Sequence, residues 1–297
     1  MDIKQAAFDN IDQAADEHKI EGFYALFSGG TDSLALTHVV ANHPLFRGVI
    51  HINTKTGVPE TEWFVQDTCT SNGWDLYIAA PFDTYESLIV RWGFPGPQKH
   101  PQVYQYLKER PLNRLLGTLA KGMKRFGLMT GVRKDESTRR MLDARFDGAV
   151  RDGRKVWVSP ISTATKRDTV SYLTQNNVPT NPVSKKLGLS GECLCGCFAR
   201  PGERIDIQIN YPSVAERIQR WQRLVSVARE LNPVITETQT EWGHGQEHGS
   251  SRINPPSTQA FMQMCFQCEI KTANHDAPQP LIQTANGWQL DTSISER

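Results

Sequence analysis

Short, continuous apolar runs alternate along this chain with stretches whose apolar residues recur at helical spacing. The run Phe23-Tyr24-Ala25-Leu26-Phe27 ends at Ser28-Gly29-Gly30, and Leu34, Ala35, Leu36, Val39, Val40 and Ala41 then follow a helical pattern. A run too short for a helix, then a turn, then a helical pattern reads as strand, loop and helix. Val49–Thr54 has the near-continuous apolar character of a buried parallel strand. Asp75–Ala80, Phe126–Gly131 and Val156–Ile161 read as further strands. Ahead of them, Ile3, Ala7, Ile11, Ala14 and Ala15 share one face of a helix over residues 1–20.

The intervening helices have legible ends. Pro59 suits a first helical position, and Glu60 lies in the first turn, where the helix dipole favours an acid. Residues 91–101 are rich in glycine and proline and read as an irregular loop, from which Lys99 and His100 could reach a substrate. A helix over 102–125 carries Tyr106, Leu107, Leu112, Leu115, Leu116 and Leu119, with Pro111 expected to kink or split it. Thr165 and Asp168 form a capping box before Val170 and Leu173. Ser213 and Glu216 form another before a stripe of Val214, Ile218, Trp221, Leu224, Val225, Ala228 and Leu231. The expected fold is α/β: a doubly wound, mainly parallel sheet in residues 1–185, with a helical extension closed by a cysteine cluster in 186–297.

Length and charge narrow this picture only a little. The 297 residues, 38% hydrophobic with seven Trp and twelve Phe, supply a substantial core. A net charge of +1 gives no global argument for nucleic acid or a membrane surface. No apolar run reaches spanning length and the first residues are polar, so a cytoplasmic protein with no membrane partner is expected.

The first turn carries the chemistry. Adjacent glycines let backbone approach a ligand, and the loop ends at a helix N-terminus, where unpaired N–H groups favour an anion. Ser28, Thr31 and Ser33 add hydroxyl donors, and Asp32 adds a carboxylate suited to Mg²⁺ beside phosphates. The loop lacks both the Walker A ending and the Gly-x-Gly-x-x-Gly spacing of dinucleotide sites. Ser-Gly-Gly-x-Asp-Ser resembles the PP-loop of the N-type ATP pyrophosphatases, which grips ATP as it is split into AMP and pyrophosphate.

Two further segments resemble the phosphoadenosine phosphosulfate (PAPS) reductase-like branch of that superfamily. One is Thr56-Gly57-Val58-Pro59-Glu60-Thr61; the other, Gly131-Val132-Arg133-Lys134-Asp135-Glu136-Ser137, resembles Gly-x-Arg-x-x-Glu-Ser. The resemblance spans roughly residues 20–200 and implies a fold like that of the adenine nucleotide alpha hydrolases. It implies nucleotide contacts from Ser28, Gly29, Gly30, Thr31, Asp32, Ser33, Thr54, Thr56, Gly57, Gly131, Arg133 and Arg139. Asp32, Ser33 and Arg133 are the catalytic candidates; arginine suits bidentate phosphate or sulfate contacts.

Six cysteines complete the candidate chemistry. Cys69 stands alone and reads as core. Cys193, Cys195 and Cys197 cluster, as do Cys265 and Cys268, a spacing that argues metal or redox chemistry in a reducing compartment. Cys193, Cys195, Cys265 and Cys268 are the expected ligands, with Cys197 spare or exchanging roles with Cys195. Four thiolates suit Zn²⁺ or a [4Fe–4S] cluster; the family resemblance favours the cluster. His244 and His248 are further donors that four thiolates make unnecessary.

The resulting expectation is an enzyme that binds ATP and Mg²⁺ and adenylates an acceptor for sulfur or related group transfer. Nucleic acid is one acceptor class, because residues 121–140 are locally basic. The first alternative is reduction of an adenosine sulfonucleotide; the Glu-Cys-Gly-x-His nucleophile segment of the PAPS reductases is absent from the sequence. The second is a zinc-stabilised nucleotide- or nucleic-acid-binding module without turnover.

Overall fold

In a computed structural model of the chain, residues 2–134 and 148–244 and the strand pair Leu281–Thr284 and Gly287–Leu290 are described. The chain packs as two units, Met1–Pro81 with Lys108–Leu194, and Phe82–Leu107 with the described residues from Cys195 onward.

The first unit is built on a six-stranded sheet. Its strands are β1 (Phe23–Leu26), β2 (Phe46–Ile52), β3 (Leu76–Ala79), β4 (Phe126–Met129), β5 (Ala149–Asp152) and β6 (Lys155–Val158). Their order is β3-β2-β1-β4-β6-β5, with every neighbour parallel except β5 against β6. The order reverses between β1 and β4, and in such open sheets the crevice at that reversal, outside the carboxyl ends of the strands, takes ligands.

Side-chain alternation along β1 shows why both faces are covered. Phe23 and Ala25 join the apolar cluster of helices α1 (Ile3–His18) and α2 (Thr31–Val40), with Ile3, Ala7, Ile11, Val39 and Val40. Between them Tyr24 points the other way, and its hydroxyl donates to the Leu119 carbonyl at 3.2 Å. Each of these buried Val, Leu, Ile or Phe side chains contributes about 1.5–3 kcal/mol. Helix α3 (Pro59–Asn72) starts with Pro59 as expected and ends at Gly73, in the left-handed region at φ 67°.

Two local readings needed correction. Between β5 and β6 the turn Gly153-Arg154 makes a hairpin, with Gly153 at φ 61°, which the apolar pattern alone did not reveal. The helix expected over 102–125 is instead α5 (His100–Tyr104), a π turn at Gln105–Glu109, and α6 (Arg110–Leu119). Pro111 lies in the first turn of α6, and the wide turn just before it accommodates its ring and missing N–H. So the split was legible, but the helix stops at Leu119 rather than 125.

Helix α7 (Lys166–Gln175) opens with both hydrogen bonds of the Thr165–Asp168 capping box. Those bonds from Thr165 hold the Asp168 carboxyl below its ordinary pKa. The short helix α8 (Pro182–Leu187) is capped by Asn181.

The second unit contains α4 (Tyr85–Trp92), α9 (Glu203–Asn210) and α10 (Pro212–Leu231). Helices α4 and α9 were not read from the sequence. The Tyr85 ring meets Trp221 edge-on at 4.9 Å, and Trp221 Nε1 donates to Glu86 at 2.6 Å. The box expected at Ser213 and Glu216 does not form: α10 begins at Pro212, whose fixed φ sets the first turn, and no side chain caps it. Val214, Ile218, Trp221, Val225 and Ala228 are buried as predicted, while Leu231 is 74% exposed at the helix end. No helix among the described residues is long and apolar enough to cross a membrane.

Candidate functional site

The loop Ser28–Ser33 leaves the carboxyl end of β1 and enters α2. Gly29 is at φ 80°, and a Cβ there would meet Thr61 Cγ2 at 2.7 Å, so both backbone and space require glycine. Ser33 Oγ donates to the Gly30 carbonyl at 3.0 Å and accepts from Ser28 N at 3.3 Å. The Ser28 hydroxyl lies 3.0 Å from Ser33 Oγ. With its own proton on Gly30, Ser33 is the acceptor in that pair. Both serine hydroxyls therefore latch the loop to itself.

Gly30 is the N-cap of α2 and supplies no side-chain cap. In contrast to α7, no side chain among the described residues caps the first-turn N–H groups of Thr31, Asp32 and Ser33. That is the arrangement an anion requires.

The strand reversal brings the β4 end onto this loop. A Cβ on Gly131 would lie 2.8 Å from Ser33 N and 2.9 Å from the Asp32 carbonyl carbon and oxygen. Two residues on, buried Arg133 donates from Nη2 to Asp32 Oδ2 at 3.1 Å. Asp32 Oδ1 accepts from Lys166 Nζ at 3.0 Å and from Thr169 Oγ1 at 3.1 Å. The carboxylate thus gathers a guanidinium, an ammonium and a hydroxyl beside the loop. Sequence reading found Asp32 and Arg133 but missed Lys166 and Thr169. They lie in the first turn of α7, and nothing local indicates that this turn faces β1. Arg139 lies outside the described residues.

A second set of contacts fixes the loop from the β2 side. Asn181, 2% exposed, donates from Nδ2 to the Gly29 carbonyl at 3.0 Å, to Thr61 Oγ1 at 3.2 Å and to the Ser190 carbonyl at 3.3 Å. Its Oδ1 accepts from Val183 N at 2.9 Å. Thr61 Oγ1 also donates to the Ser190 carbonyl at 2.7 Å. The segment 190–194 then runs along the turn after β2. Thr54 Oγ1 donates to the Glu192 carbonyl at 2.8 Å, and Leu194 N donates to Thr56 Oγ1 at 3.0 Å. A Cβ on Gly57 would fall 2.4 Å from the Glu192 carbonyl oxygen. Thr54, Thr56 and Gly57, selected as nucleotide contacts, are therefore engaged by this segment. Lys108 and Glu192 form an ion pair at 2.8 Å with both side chains largely buried.

The cysteines divide. Cys69 is core, 1% exposed, and burial pushes its thiol up to about 12. Cys193 belongs to the first unit, where Thr56 Oγ1 donates to its sulfur at 3.5 Å. Cys195 and Cys197 belong to the second unit, where they are buried near His100. Cys265 and Cys268 lie outside the described residues. His244, an alternative ligand, has Nε2 3.0 Å from the Phe94 carbonyl; His248 lies outside the described residues.

The family model of the phosphoadenosine phosphosulfate reductase domain matches residues 23–213. No curated protein sequence matches the chain. Among solved structures, a PAPS reductase from Candida auris in a phosphate complex is similar at 16% identity and a TM-score of 0.46, over 60% of this chain and 83% of that one. The FMN adenylyltransferase of Candida glabrata with FMN and an ATP analogue is similar at 11% identity and a TM-score of 0.44, over 62% and 59%. The U34-tRNA thiolase NcsA of Methanococcus maripaludis with its [4Fe–4S] cluster is similar at 12% identity and a TM-score of 0.38, over 75% and 78%. Likenesses this loose carry no conclusion about activity.

Proposed function

The chain belongs to the phosphoadenosine phosphosulfate reductase domain family, and from that membership we propose that it binds ATP and splits it between the α- and β-phosphates. The observation that carries the reading is the uncapped first turn of α2, wedged against Gly131 and flanked by Arg133 and Lys166. In this reading the N–H groups of Thr31, Asp32 and Ser33 receive phosphate oxygens. Arg133 and Lys166 offset the charge that builds on the leaving pyrophosphate. An acceptor oxygen attacks the α-phosphorus, the bond to the β-phosphate oxygen breaks, and pyrophosphate leaves with that electron pair. The acceptor is left adenylated, ready for attack by a sulfur or other nucleophile that expels AMP.

Asp32 acts chiefly as an organiser. Its two oxygens hold Arg133 and Lys166 at fixed distances, so the cations are in place before phosphate arrives. Mg²⁺ bound with ATP would add charge neutralisation at the pyrophosphate; Asp32 is the loop carboxylate able to share it once Lys166, whose side chain is half exposed, turns to phosphate.

The reading is tested by product analysis with labelled ATP and Mg²⁺ over a panel of nucleic-acid and small-molecule acceptors. AMP and pyrophosphate that disappear in Asp32→Ala support it. ADP and inorganic phosphate as the products, or AMP formation untouched by Asp32→Ala, contradict it. A sulfonucleotide substrate instead of ATP would be recognised by thiol-dependent release of sulfite from the same protein.

A further inference from the structure

The second unit gathers three metal-ligating side chains. One ligand atom each from His100, Cys195 and Cys197 lies within 4.8 Å of the other two, and all three residues are buried. His100 opens α5, while Cys195 and Cys197 flank Gly196. Gly196 is at φ 79°, and a Cβ there would lie 2.8 Å from Trp242 Nε1. This sharp reversal brings the two sulfurs together, and only glycine fits it. The surroundings hold the ligands in place: Tyr85 donates its hydroxyl to the Cys195 carbonyl, and the Phe198 ring packs at 4.8 Å against the His100 imidazole.

We propose that His100, Cys195 and Cys197 are three ligands of a single zinc ion. Zinc–sulfur and zinc–nitrogen bonds of about 2.3 and 2.1 Å place tetrahedral ligand atoms about 3.5–3.8 Å apart. The observed grouping reaches that spacing with shifts of an ångström or less. A [4Fe–4S] cube distributes its ligands over separate irons, so they stand further apart than around one ion, and it is ordinarily held by four cysteines. Charge points the same way. The two thiolates of Cys195 and Cys197 offset the charge of Zn²⁺, which suits ligands shielded from water. The assignment departs from the all-cysteine set read from the sequence: Cys197 and His100 enter as ligands, while Cys193 is not required. It is independent of the nucleotide reading.

The test is made on the full chain, purified without oxygen, chelator or added metal. Zinc, iron and acid-labile sulfide are measured, and Co²⁺ is then exchanged in for its thiolate charge-transfer absorption. The expected result is about one zinc ion per chain, with neither iron nor sulfide. Cys197→Ser should weaken zinc binding by about a hundredfold or more, since even loss of an outer-shell partner costs ten- to a hundredfold. Cys193→Ser should keep zinc at the wild-type level. His100→Cys, which replaces one ligand by another and so guards against simple misfolding, should retain zinc. It should also raise the charge-transfer intensity by about a third to a half, one thiolate having been added to two or three. Stoichiometric iron and sulfide, no bound metal in the wild type, or an unchanged Co²⁺ spectrum in His100→Cys would each overturn the assignment. So would loss of zinc in Cys193→Ser with retention in Cys197→Ser.

Discussion

Gly131→Ala is the smallest change expected to disable the loop. The added methyl would sit 2.8 Å from Ser33 N and 2.9 Å from the Asp32 carbonyl carbon and oxygen, against an ordinary contact distance of at least 3.4 Å. The atoms it meets are backbone, so no side chain can turn aside. Either the loop or the β4 end must retreat by about 0.5 Å. Overpacking of this kind costs about 1–3 kcal/mol. For the sheet-bearing unit that is a fall of several degrees in melting temperature, at about 2–4 °C per kcal/mol. The effect on ligand should be larger than the effect on stability, because the displaced atoms are the donors themselves. Loss of one charge-assisted hydrogen bond from Ser33 N, about 1.5 kcal/mol or more, weakens ATP binding by about tenfold. Gly117→Ala is the matched control. It lies within α6 with nothing inside 4 Å of its added Cβ, so it should stabilise by about 0.5–1 kcal/mol and leave binding unchanged. Calorimetric titration with ATP and thermal melting of the pair give both numbers. Wild-type affinity in Gly131→Ala would refute the claim that this contact shapes the anion site.

Asn181→Ala should destabilise the chain by about 2–3 kcal/mol, because it strands the buried Gly29 carbonyl and the Val183 N–H; denaturant unfolding measures it, and a change within error would sink the role given to this amide. Lys166→Ala should weaken triphosphate binding more than monophosphate binding, since its ammonium adds charge near the loop without forming it; an equal fold loss for both ligands would count against that. Cys69, held protonated to about 12, should resist alkylation in the native protein at pH 8 and react only on unfolding, as mass spectrometry of labelled protein will show. Asp168 has its carboxyl held below the ordinary value by Thr165, so its contribution is present at neutral pH and is lost as pH falls through that lowered value. Asp168→Asn should therefore flatten the acid limb of the melting curve, and an acid limb as steep as the wild type's would contradict it.

The central strands, α1, α2, α3 and the box at Thr165 were legible because each rests on a local signal. Apolar runs, Pro59 at a helix start and a Thr–Asp pair at the right spacing all act within a few residues. The loop Ser28–Ser33 was legible for the same reason. What escaped depends on contacts distant in sequence. Lys166 meets Asp32 across 134 positions, and Asn181 meets the Gly29 carbonyl across 152. Only the strand order makes them neighbours. Thr54 and Thr56 drew notice as hydroxyls at a strand end; that the distant segment 190–194 hydrogen-bonds both had no local signal. His100 was visible as a residue but read as part of a loop, and its nearness to Cys195 and Cys197 could not be inferred from spacing.

The measurement that bears most directly on the nucleotide reading is a crystal structure of the chain with Mg²⁺ and a non-hydrolysable ATP analogue. The account predicts phosphate oxygens on the N–H groups of Thr31, Asp32 and Ser33, with Arg133 or Lys166 turned to phosphate. Triphosphate density elsewhere on the chain, with the first turn of α2 untouched, would contradict it.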